Sequence, residues 1–426
     1  MFETFRNAIK IPDLRKKLLY TFFVIILFRV GAAIPVPFLN LSALSNLMSG
    51  ANGTLMNYFN TLTGGAYSRA TLFAMSVTPY INSSIIIQLL AVAIPSLERL
   101  MKEGEVGRKR VAQITRYVTL GLGFLQGLVY YIYLRNNGVM AYTTGFYGFW
   151  AAAVDIVVFT AGATLMMWLG EQINDKGIGN GISVLLFAGI VSRGPSIVGT
   201  VKQYWSLGGQ YYVLIPLIVV LSVAVVAAIV FMNEAERRIP VQYAKRVVGR
   251  KMYGGQSSFI PIKVTMSGVM PIIFAVSIVT IPTTIVQYLS PKSGVYKFFN
   301  TWFSYNSWIY ALVYFLLIIA FNFFYVTIQY NPHEIANNLK KNNGGIPGIR
   351  PGKPTSDYIS HCLWRVSFIG AIFLGLVAIL PILLSQGGVN ISLGGTSLLI
   401  VVGVAIDTAR SLESQMMMRH YKGFLE

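Results

Sequence analysis

Charge is what this chain has least of. Of its 426 residues only 12% are charged and 54% are hydrophobic, whereas a soluble domain carries about 25% charged residues. The shortage runs along the whole length, which excludes a soluble globular protein and leaves a polytopic membrane protein. Cysteine is almost absent: Cys362 stands alone, so there is no intramolecular disulfide framework and no CxxC metal motif. Histidine is scarce too. His333, His361 and His420 fall at or between the ends of apolar runs, which leaves no histidine proton relay within the membrane. Acidic residues number 15 against 34 lysines and arginines. In a soluble protein the resulting charge of +19 would suggest nucleic acid; here its placement is read first as membrane topology.

Catalytic and nucleotide-binding motifs are missing as well. Gly352-Lys353 is followed by Pro354, and proline occupies position 347 where a P-loop needs its first glycine. No HExxH occurs, and no Ser/His/Asp set fits within the bilayer. Gly177-x-Gly179-x-Gly181 echoes a nucleotide-binding loop, but an apolar run precedes it where a strand is required. It reads as a tight cytoplasmic turn, with Asn180 or Ser183 capping the next helix. The chain is therefore expected not to be an enzyme and to hold no cofactor or metal.

What is present is a series of apolar runs, near 18–34, 75–94, 117–134, 149–169, 181–200, 212–232, 266–288, 307–328, 363–384 and 396–409. Several exceed the roughly 17 residues that cross a bilayer. The fifth and tenth are short or interrupted. The first resembles a signal peptide in following Arg6, Lys10, Arg15, Lys16 and Lys17, but it is long, carries Arg29 and ends in Pro35-Val36-Pro37, so it reads as a span. Ten spans put both termini on one side. Segments 1–17, 95–116, 171–180, 234–264, 329–365 and 410–426 hold 27 of the 34 basic residues, which makes those segments and both termini cytoplasmic.

Five spans precede about residue 205 and five follow, giving halves 1–205 and 206–426. An odd number per half inverts one against the other if they are repeats. The second and seventh spans are both interrupted near their start, by Gly64-Gly65 and Pro79 in one and by Gly268, Pro271 and Pro282 in the other. Paired interruptions of this kind mark the functional axis of an inverted repeat. The second span also carries a polar seam. Ile81, Ile85 and Gln88 share one helical face, while Asn82, Ser83, Ser84 and Gln88 are groups a lipid-facing helix does not need. Such a helix borders a wet path or a movable neighbour.

Intramembrane charges are few. Arg29 lies toward the outer end of span one and can snorkel; Asp155 lies early in span four; Asp407 precedes Arg410 by three residues, where a local ion pair is expected. An ion-coupled carrier, the alternative that the broken spans suggest, would place ionisable groups near the midplane. The cytoplasmic loops 234–264 and 329–362 are also far longer than the roughly 2–8 residues that connect bundle helices. One sets Arg237, Arg238, Lys245, Arg246, Arg250 and Lys251 in a turn-and-hairpin context; the other runs through Gly344-Gly345 to Arg350 and Lys353. Their length and charge suit docking of an acidic protein or RNA surface.

Five blocks in order carry a resemblance: Thr78-Pro-Tyr-Ile-Asn-Ser-Ser-Ile-Ile-Ile-Gln-Leu-Leu90, Trp168 to Ser183, Tyr243-Ala-Lys-Arg246, Pro347-Gly-Ile-Arg-Pro-Gly352 and Gly394-Gly-Thr-Ser-Leu-Leu-Ile400. Over essentially its whole length the chain resembles the SecY family of bacterial protein-conducting channels. Ser76 departs from the glycine common there. The resemblance implies an all-α fold of ten transmembrane helices, in two inverted five-helix halves around an hourglass pore. It implies a pore ring of Ile81, Ile85, Leu186 (often isoleucine in the family), Ile190, Ile278 and Ile400, whose aliphatic side chains can fit around a passing chain while offering ions no hydration substitute. A short plug helix is expected within 60–74, with Gly64, Gly65 and Arg69. A lateral gate is expected between the second and third spans and the seventh and eighth, with Ser83, Ser84, Gln88 and Ser277 as contacts. Arg246, Arg250 and Arg350 would dock the SecA motor or the ribosome, through its RNA and protein. The implied partners are SecE, SecG, SecA, the ribosome, secretory and membrane-protein chains and phospholipid, in the bacterial plasma membrane.

Overall fold

The computed structural model describes residues 2–49, 60, 63–209, 211–243, 246–248, 251–253, 257–286, 294, 298, 302, 307–386 and 395–422. Helices dominate. In chain order they are α1 (Phe2–Lys10), α2 (Pro12–Gly31), α3 (Leu41–Ser49), α4 (Thr78–Ala93), α5 (Pro95–Lys102), α6 (Gly104–Asn136), α7 (Gly145–Lys176), α8 (Gly181–Val191), α9 (Gly194–Leu207) and α10 (Tyr211–Glu234). There follow α11 (Met270–Val286), α12 (Trp308–Gln329), α13 (Pro332–Lys341), α14 (Lys353–Gln386) and α15 (Gly395–Lys422).

Each of the ten expected apolar runs has its larger part on one or two of these helices. Among the described residues, six segments are long and apolar enough to cross a membrane by themselves: α6, α7, the α8–α9 pair, α10, α12 with α13, and α14. The α4–α5 pair is a seventh but bends by 109°. Its cause is local: Ile94 precedes Pro95, which disfavours helical geometry, and Ile94 takes φ −109° and ψ 110°. The helices α2, α11 and α15 carry the first, seventh and tenth runs. The interrupted fifth run breaks at Ser192 and Arg193, and α9 restarts with proline in its first turn.

To these helices the described residues add two small antiparallel sheets, one of three strands and one of two. Strand β1 (Glu236–Tyr243) pairs with β4 (Ser257–Lys263) over seven residues and with β5 (Gly344–Gly345) over two, and β2 (Arg246–Val248) pairs with β3 (Lys251–Tyr253). Alternation sets the three-stranded sheet's inner face: Ile239 and Val241 point inward and pack with Ile262, Leu339, Ile346, Ile359 and Leu363. Pro240 lies where β5 does not reach, so its missing N–H costs no ladder bond on that side.

The chain forms two compact units, residues 1–216 with 284–297 and 384–426, and residues 217–283 with 298–383. This division differs from the halves 1–205 and 206–426, because α15 packs against α8 and α1 in the first unit. Within that unit a cluster of Val36, Leu44, Ala70, Met75, Tyr130, Leu134, Val139 and Phe159 anchors the connections between spans.

The interruptions before spans two and seven are alike. Residues 63–70 and 72–77 form turns, then α4 starts at Thr78-Pro79; residues 264–269 form turns, then α11 starts at Met270-Pro271. Of the expected plug stretch 60–74, Asn60 is helical, residues 63–70 and 72–74 form turns, and 61–62 lie outside the described residues. Gly64, Gly65 and Ala70 hold φ of 65°, 91° and 42°, and left-handed residues cannot propagate a right-handed helix.

Candidate functional site

The segment 63–77 is fastened within the first unit. Backbone bonds join Val36 N–H to the Ala70 carbonyl and Leu72 N–H to the Ile34 carbonyl, both at 3.0 Å, and Tyr130 Oη donates to the Tyr67 carbonyl at 2.7 Å. Gly64 lies so close to the Gly189 carbonyl, the Ser192 hydroxyl and the Arg29 guanidinium that a Cβ would overlap all three. Gly65 has open space at the same position. Arg69 is exposed.

Arg29 is half-buried. One guanidinium nitrogen is buried against this segment without a hydrogen-bond partner, and the group lies 5.7 Å from the Phe28 ring centre. Asp155 is fully buried, and neither carboxylate oxygen has a partner among the described residues.

On α4, Ile85 is 4% exposed and Ile81 half-buried. Leu186 and Ile190 on α8 are 5% and 3% exposed, and Ile400 on α15 is 2% exposed. The packing of α8 on α15 brings the helices of these last three together within the first unit. Ile278 belongs to the second unit and is half-buried there. The polar seam resolves into distinct environments. Ser83 is fully buried and its hydroxyl donates to the Pro79 carbonyl of its own helix at 2.8 Å. Ser84 accepts from Gln88 Nε2 at 3.1 Å, and Ser277 donates to the Ile273 carbonyl at 2.9 Å.

The glycine-rich turn is a clasp between helices. Asn180 is the cap of α8 and accepts from Ser183 N–H at 3.3 Å. Asn174 Oδ1 accepts from Gly181 N–H at 2.7 Å, and Thr21 Oγ1 of α2 accepts from Ile178 N–H at 3.2 Å. Gly179, at φ 80°, leaves room for Thr408 of α15. Thr21 and Thr408 carry no motif, so only tertiary structure reveals them as partners of this turn.

The expected docking residues are split. Arg350 is exposed in a turn flanked by Gly348 and Gly352 at φ 82° and 111°, and its carbonyl accepts from Thr355 Oγ1 at 2.8 Å. Arg246 lies on β2. Arg250 lies outside the described residues, as do 61–62 of the expected plug and Gly394 of the last motif. Asn322, on α12 and 1% exposed, is a buried polar residue that sequence reasoning missed. Its only signal was an amide within an apolar helix of 22 residues.

The SecY family model matches residues 71–409. The "Protein translocase subunit SecY" of Thermotoga maritima is 43% identical, covering 100% of this chain and 98% of that protein. Among solved structures, "The structure of a protein conducting channel" superposes with a TM-score of 0.65 at 19% identity, over 94% of this chain and 92% of that one. "Sec61 in the Canine ribosome-channel complex from the endoplasmic reticulum" superposes at 0.62 and 17% identity, over 94% and 92%. Those two likenesses show the helical channel fold. The chain belongs to the SecY family: it is a membrane-embedded channel subunit of a protein translocase and not an enzyme.

Proposed function

We propose that this channel subunit passes unfolded secretory polypeptides across the bacterial plasma membrane and releases apolar segments sideways into lipid. SecA or a docked ribosome drives it, and SecE and SecG assemble with it. The observation that carries this reading is the common construction of α4 and α11, each an apolar helix entered through turns and a first-turn proline. Such broken, paired spans let two helices move against their surroundings without breaking an internal hydrogen-bond ladder. Ile81, Ile85, Leu186, Ile190, Ile278 and Ile400 form the ring that seals the resting pore. Gly64, Gly65 and Arg69 belong to the plug segment, and Ser83, Ser84, Gln88 and Ser277 serve the lateral gate.

Docking belongs to the long cytoplasmic loops. Their basic charge complements ribosomal RNA or an acidic protein face, and a structure of the related Sec61 is titled as a ribosome-channel complex. Both termini are cytoplasmic, as the basic segments require. The test is charge reversal. Arg350→Glu and Arg250→Glu are expected to impair export of a reporter while the protein itself still inserts into the membrane at normal levels. Normal export in both variants would sink the docking assignment.

A further inference from the structure

The turns at 264–269 are held by polar side chains from two helices of the second unit, one of which also bonds a third helix, and nothing in the channel reading requires them. Thr265 and Ser267 are 7% and 5% exposed. Thr265 Oγ1 donates to Asn233 Oδ1 near the end of α10 at 2.7 Å. Ser267 Oγ donates to Asn322 Oδ1, and Asn322 Nδ2 donates to the Ser367 carbonyl of α14 at 3.0 Å. Val264 N–H bonds the Ala235 carbonyl at 3.0 Å. The close approach continues at Gly370 of α14, where any Cβ would overlap the Val264 carbonyl.

A primary amide on a membrane span is costly unless both its ends are satisfied. Asn322 satisfies one end on the segment before α11 and the other on α14, so removing it would release two elements at once. Immediately beyond the last fastened side chain comes Gly268, with φ of 59° and nothing within 4 Å of where a Cβ would stand. Two residues later α11 begins. The order along the chain is fastening, a glycine with open space at its Cβ position whose N–H bonds the Thr265 carbonyl at 3.2 Å, then helix. That order permits rotation of the helix about a fixed end and opposes translation along its axis.

We propose that Asn322 is a positioning residue for α11: it fixes the cytoplasmic start of the helix that carries Ser277 and Ile278, so that this helix opens by swinging about Gly268. The proposal rests on the channel reading for its consequence, but not for its geometry.

The test uses the full chain, assembled with its partner subunits in membrane vesicles, carrying Asn322→Leu. Two quantities are read: hydrogen exchange at residues 264–272, and transport of a secretory substrate with and without its apolar leader. Faster exchange is expected, together with an about fivefold gain for the leaderless substrate, the population shift that one lost hydrogen bond implies. The reciprocal pair Ser267→Asn with Asn322→Ser is expected to restore both. Should Asn322→Leu fail to accumulate, Ser267→Ala removes the same bond with a smaller change of volume. Unchanged exchange overturns the fastening. Faster exchange with unchanged leader dependence overturns the positioning role and leaves a structural one. If the unmodified chain moves neither substrate, the channel reading falls while the exchange result still decides the fastening.

Discussion

Glycine contacts decide how tightly the first unit closes on its turn segments. Gly162 of α7 faces the Leu72 carbonyl so closely that a Cβ would overlap it. Gly162→Val is expected to cost about 1–3 kcal/mol, as overpacking does, and to lower the melting temperature of the purified protein. Gly121→Ala on α6, where a Cβ meets nothing within 4 Å, is the control and is expected to cost no stability. Capping is equally local. Asn180→Ala removes the side-chain bond to Ser183 N–H and is expected to cost about 0.5–2 kcal/mol, read by the same melt. Asn180 was legible in the sequence because its cap partner lies three residues away. Asn322 was not, because its partners lie 55 and 45 residues away, and no local pattern joins positions so far apart.

At the level of elements, hydropathy made the spans legible, since a membrane demands about 20 apolar residues wherever a helix crosses. The turn segments were less so. Ala70 and Ser76 take φ of 42° and 49°, and neither side chain advertises a left-handed backbone as glycine does; tertiary bonds to residues 34–36 hold Ala70 there. The hairpin was legible in the sequence from its turn residues, while the length of its arms β1 and β4 emerges from cross-strand pairing. Their stability comes from the inner face, where Ile239 is 1% exposed. Ile239→Ala is expected to cost about 2–5 kcal/mol locally and to open the hairpin to protease while the spans stay protected. Equal protease resistance to the unmodified chain would mean that this cluster does not hold the hairpin.

For the whole molecule, charge asymmetry and span count carry the proposed topology, and family membership sets the channel role. The residues proposed for the ring are aliphatic and, apart from Ile81 and Ile278, under 6% exposed, which suits a seal that offers ions no ligand. Ile278→Asn and Ile400→Asn are expected to raise resting ion leak in vesicles; an unchanged leak in both would remove these positions from the seal. The periodicity of α4 alone did not separate ring residues from packing residues, because both are aliphatic at helical spacing.

The most direct test of the account is site-specific crosslinking to a secretory chain arrested in transit, with the reactive group placed at position 81, at position 278, or at Val220, which is 66% exposed on an apolar face of α10. The account predicts crosslinks from 81 and 278 and none from 220. No crosslink from either of the first two, or equal yield from all three, would contradict a polypeptide path lined by Ile81 and Ile278.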